Sequence, residues 1–159
     1  MTAIVWTAGL LFMWIAGCAT MTTADKAPTD LVIIDRWSGD FPVAGLTLLP
    51  EGQRRSRAGY LGDQQTFAAV WQAFKPGEKI PGVDFNRNLV IFSRNVVYYN
   101  RTNIMKAVLT GGDLEILAME TMSAMPIEDK AAMAMAVIPR GGVKFILAGD
   151  ARVPVTDDR

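Results

Sequence analysis

From about residue 30 onward, apolar residues come in short runs separated by turn-forming ones, a pattern of strands rather than of helices. Leu31 to Trp37 and Val43 to Leu49 read as strands, divided by Ser38-Gly39-Asp40 and closed by Pro50-Glu51-Gly52. Asn88 to Val97 is rich in Val, Ile and Phe and suits a buried strand. Thr102 to Thr110 and Leu114 to Glu120 flank Gly111-Gly112-Asp113 and read as a hairpin. Met133 to Ile138 and Val143 to Ala148 read as a second hairpin, broken by Arg140-Gly141-Gly142. One stretch, Leu61 to Phe74, has helical spacing: Phe67, Val70, Trp71 and Phe74 recur three and four apart, Asp63 is placed to cap it, and Pro76-Gly77 stops it. Six or seven strands with one main amphipathic helix predict an α+β fold dominated by antiparallel sheet. The tail beyond Val155 is polar and reads as frayed.

The start of the chain follows different rules. No charged side chain occurs in the first 24 residues, and Asp25 and Lys26 follow. Leu10 to Ile15 gives an apolar core, and Ile15-Ala16-Gly17-Cys18 places small residues directly before the only cysteine. This resembles the lipobox of bacterial lipoproteins, in which the cysteine carries diacylglycerol and becomes the acylated amino terminus. A plain signal peptide and a retained membrane helix are the competing readings. The lipoprotein reading divides the chain into a leader (1–17), a small polar tether (18–29) and one domain (30–155). Cys18 would hold a covalent lipid and anchor the domain to a membrane, firmly where several acyl chains are attached. Ala19 after the cysteine, in place of Asp, points to the outer membrane.

Composition narrows the function. The chain has 159 residues, 16 Lys and Arg against 16 Asp and Glu, and no histidine. That length holds one full-sized domain. Without histidine, Ser-His-Asp and Cys-His catalysis and His-rich zinc sites are excluded. Zero net charge argues against broad nucleic-acid binding, which needs surplus Lys and Arg to displace counterions. No Ser-x-x-Lys motif occurs, and Gly111-Gly112 and Gly141-Gly142 lack the spacing of a phosphate-cradling loop. Three arginines in Gln53 to Arg57 read as a solvated basic loop.

The helix carrying Phe67, Trp71 and Phe74, then Val83-Asp84-Phe85, the strand opening at Leu89 to Phe92, the hairpins and Ile138-Pro139 resemble the PrcB-like family, over about residues 58–148. The resemblance implies a small secreted or lipid-anchored module that accompanies a larger protein without catalysis of its own. Val96-Val97-Tyr98-Tyr99-Asn100 stands where members often carry a Gly-Gly-Tyr turn.

Four sets of residues carry specific expectations. Asp84, between apolar neighbours, is expected to accept backbone N–H bonds and fix a turn. Trp71 belongs to the core. Tyr98, Tyr99, Asn100 and Arg101, at a junction between strands, combine contact area with hydrogen bonding as protein-recognition surfaces do. Met119, Met122 and Met125 recur at three-residue spacing, and their thioethers are soft donors suited to Cu(I). Met133 and Met135 alternate as one face of a strand would. The leading expectation is a lipid-anchored, non-enzymatic module that binds or stabilises a larger protein. Periplasmic Cu(I) carriage through the methionines is the alternative.

Overall fold

A computed structural model describes residues 27–156; the expected leader, Cys18 and the tether as far as Lys26 lie outside them. The strands are β1 (Thr29–Asp30), β2 (Asp35–Pro42), β3 (Ala58–Leu61), β4 (Asn88–Arg94), β5 (Thr102–Thr110), β6 (Asp113–Glu120), β7 (Lys130–Pro139), β8 (Phe145–Ala148) and β9 (Ala151–Pro154). The helix α1 spans Gln64–Phe74. Strand order is β2-β7-β4-β3 in one sheet and β1-β5-β6-β8-β9 in the other. Every pairing is antiparallel except that of β6 with β8. The fold is α+β with antiparallel sheet predominating, as the sequence predicts.

The three layers are α1, the four-stranded sheet and the five-stranded sheet. β7 shows how sequence sets this order. Met133, Met135 and Val137 pack toward Phe67, Val70, Trp71 and Phe74 of α1, with Phe41, Val90 and Phe92. The intervening Ala134, Ala136 and Ile138 pack, with Leu89 and Ile91, against Ile104, Ala107, Leu114 and Ile146 of the second sheet. A strand buried on both faces needs a continuous apolar run, which β4 and β7 have. Small alanines on the inter-sheet face let the sheets approach, and larger methionines fill the irregular space under the helix. Trp71 is buried, as expected, in a cluster of aromatic rings with Trp37, Phe67 and Phe74.

Several segments differ from expectation, each for a local reason. Val43–Leu48 is a 3-10 helix rather than a strand. Leu46 and Leu49 face the core three residues apart, a spacing that a turn of helix presents on one side and a strand does not. Ser38-Gly39-Asp40 lies inside β2 rather than breaking it, because Trp37, Gly39 and Phe41 keep the period of two. Met133 to Ile138 and Val143 to Ala148 do not pair as a hairpin. Their strands, β7 and β8, belong to different sheets, and β8 pairs with β6 and β9. Nine strands are present among the described residues, since the short β1, β3 and β9 carry too few residues to show a period. Of the tail expected to fray, the structure describes Thr156, whose amide donates to the Tyr60 hydroxyl at 2.9 Å; residues 157–159 lie outside the described residues. Gln53 is buried, and its side-chain oxygen accepts the Tyr60 amide at 2.7 Å, so it covers the edge of β3. Asp84 fixes its turn as expected, its carboxylate accepting the Asn86 amide at 3.1 Å.

Candidate functional site

β4 and β5 are joined by residues 95–101, and β6 and β7 by residues 121–129; these two loops are stitched together. The turn after β4 is set by Asn95, whose side-chain oxygen accepts the amides of Val97 and Tyr98, both at 2.9 Å. Its amide nitrogen donates to Glu120 at 2.9 Å, which fastens the turn to the end of β6. From there the loops run side by side. Tyr99 N–H donates to the Met125 carbonyl (2.9 Å), Ile127 N–H to that of Val97 (3.2 Å) and Thr121 N–H to that of Arg101 (2.9 Å). Ser123 N–H donates to the Asn100 side chain at 2.9 Å.

The two sets of residues singled out from sequence thus meet at one end of the molecule. Tyr98 and Val97 are exposed on the first loop. Met122 is 100% exposed and Met125 64% exposed on the second, and Met119 is 62% exposed on the solvent face of β6. Asn100, expected at a contact surface, is buried, and its side chain serves the loop pair. The three methionines do not form one face through their spacing. Residues three apart align on a helix, whereas Met119 sits on a strand and Met122 and Met125 follow in a loop. Among the described residues, no group of three or more His, Cys, Asp or Glu is arranged to hold a metal ion.

Tyr99 turns inward from the loop and its hydroxyl donates to Asp40 on β2. That bond holds the phenol pKa above its ordinary value, with partial burial and the Asp40 charge acting in the same direction and Arg101 opposing them. Lys130 Nζ lies 3.9 Å from the other Asp40 oxygen. Asp40 and Lys130 carry no signal in the linear sequence: one reads as a turn residue, the other as a solvated lysine. Only the pairing of β2 with β7 brings both to Tyr99.

Beside this cluster, Ser38, Gly39, Asp40, Lys75, Arg101 and Thr102 line a cleft of about 500 Å³. A second cleft of about 370 Å³ lies near Tyr60, Arg140 and Arg152. Its arginines are engaged: Arg140 donates to the carbonyls of Phe85 and Thr156, and Arg152 pairs with Asp113 at 2.5 Å.

No family model matches the chain, and no curated protein or solved structure is significantly similar to it.

Proposed function

We propose that this chain is a lipid-anchored, non-catalytic binding module of the bacterial envelope, which holds a larger protein on the stitched loops 95–101 and 121–129. One observation carries the reading. The loops expose Val97, Tyr98, Met122 and Met125 together, on backbone fixed by hydrogen bonds rather than free to collapse. Aromatic and methionine side chains are enriched where proteins bind one another, and an ordered loop loses little entropy on binding. The resemblance to the PrcB-like family points to the same class of function.

The described chain enters the domain at the end remote from the loops. β1 enters antiparallel to β5, with Thr29 opposite Leu109, while the loops lie at the Thr102 end. Seven residues of β5 separate the two positions, about 23 Å at the rise of a strand.

A photo-reactive amino acid at position 122, with a control at exposed Lys144 beside Gly112, tests the reading in intact cells. The expected result is one dominant protein adduct from position 122 and none from position 144, retained when Cys18→Ser is combined with a soluble leader. Equal adducts from both positions, or none from position 122, would overturn it. Cu(I) titration of the same protein addresses the methionine alternative, which requires tight binding lost in Met122→Ala, Met125→Ala.

A further inference from the structure

The partner's chemistry is legible at β2, and the inference rests on the protein-binding reading above. β2 is an edge strand of eight residues whose outer side pairs with no other strand among the described residues. Exposed edges are templates for an added strand, and the other edges here are short or covered. β1 has two residues and β9 four, and Gln53 occupies the amide of Tyr60 on β3. On β2 the Arg36 amide is taken by the Asp35 carboxylate at 2.8 Å and Pro42 brings no N–H, so the open part of this edge is its middle, Ser38 to Asp40.

The cleft beside β2 is lined by donors. Lys75, at the end of α1, holds its ammonium 3.3 Å from where a Cβ on Gly39 would lie, so the absence of a side chain at Gly39 makes room for the charge. Its one contact of note is with the Phe74 ring, 5.3 Å to the centroid. Arg101 approaches from the start of β5 and bears on the Tyr99 hydroxyl, and among the described residues no salt bridge joins it to a carboxylate. Ser38 adds a hydroxyl, and the Thr102 hydroxyl nearby is buried with no partner. The cleft's one carboxylate, Asp40, is taken by Tyr99 and Lys130. Two cations and spare hydroxyls, beside a single carboxylate that is already engaged, complement an anion.

We infer that β2 receives an extended, acidic segment of the partner protein, paired to its open edge with carboxylate side chains reaching Lys75 and Arg101. Adjacent side chains of an extended segment point to opposite faces, so neighbouring or alternate carboxylates serve the two cations. Main-chain pairing supplies affinity in this mode, and the charges supply selectivity.

The test uses the full chain, isotope-labelled and held in a neutral detergent. It is titrated with Ac-Thr-Glu-Glu-Val-Glu-Val-Thr-amide, with the same peptide carrying Gln for Glu, and with phosphatidylglycerol vesicles. The expected result is amide shifts along residues 36–41, 75 and 101–102 with the acidic peptide. Its affinity should be at least about tenfold above that of the amide peptide at low salt, the gap narrowing as salt rises. Lys75→Glu with Arg101→Glu should abolish the preference, and Lys75→Arg should keep it. Equal affinity of the two peptides, or a preference that survives the charge reversal, overturns the inference while the crosslink at position 122 can still stand. Shifts produced by vesicles and not by peptide overturn it in favour of a lipid surface. Absence of any shift alongside a retained crosslink overturns the acidic-strand inference alone.

Discussion

Tyr99 and Trp71 show how differently two aromatic residues work in one small domain. The Tyr99 hydroxyl is committed to Asp40, and the neutral phenol is favoured in the folded state, so its pKa lies above the ordinary 10.0. The stability from this bond is therefore whole below pH 10 and is lost as pH rises through the elevated value. Denaturant unfolding of the native chain and Tyr99→Phe should show a difference at neutral pH that shrinks above pH 10; a constant difference would separate the bond from the titration. Trp71 is buried with its indole N–H unpaired. Its contribution is apolar contact, offset by a polar group that finds no partner. Trp71→Phe should cost only about 1–2 kcal/mol, against about 3–5 kcal/mol for Trp71→Ala, because the smaller ring also removes the orphan donor. Chemical denaturation of both variants measures the contrast.

The helix is the element most legible in sequence, since its spacing, cap and stop all agree. Asp63 accepts the Thr66 amide at 2.8 Å as the N-cap. Asp63→Ala should lower stability by about 1 kcal/mol, and Asp63→Asn by much less, in thermal unfolding. Strands were less legible in proportion to their shortness. β4 to β7 lie within a few residues of their expected positions, whereas β3 has four residues and is recognisable only by its pairing with β4. Its edge depends on a distant side chain. Gln53→Ala should strip the Tyr60 amide of its acceptor and cost about 1–3 kcal/mol, with faster amide exchange confined to β3. A reading of Gln53 to Arg57 as a solvated loop misses this, because burial of Gln53 follows from where the loop folds back and not from its composition.

At the scale of the whole molecule, the methionines divide by layer. Met133 and Met135 are sealed between α1 and the four-stranded sheet, while Met119, Met122 and Met125 face solvent at one end. Dilute peroxide should oxidise Met122, Met125 and Met119 first, each gaining one oxygen, and leave Met133 and Met135 intact until the fold is lost. Peptide mass spectrometry with and without denaturant checks the order, and early oxidation of Met133 would contradict the layering. The same division explains what was readable in advance. Sequence by itself determined the α+β class, the helix and its buried face, the continuous apolar strands and the excess of apolar residues near Tyr98 and Met122, because these follow from local period and side-chain chemistry. Tertiary structure alone decided that β7 and β8 part into different sheets, that Asp40 and Lys130 meet Tyr99, and that β2 keeps an open edge beside Lys75 and Arg101. Those outcomes depend on which strands pair across long sequence separations. Pairing is fixed by packing of the complete core, and no local window of residues contains that information.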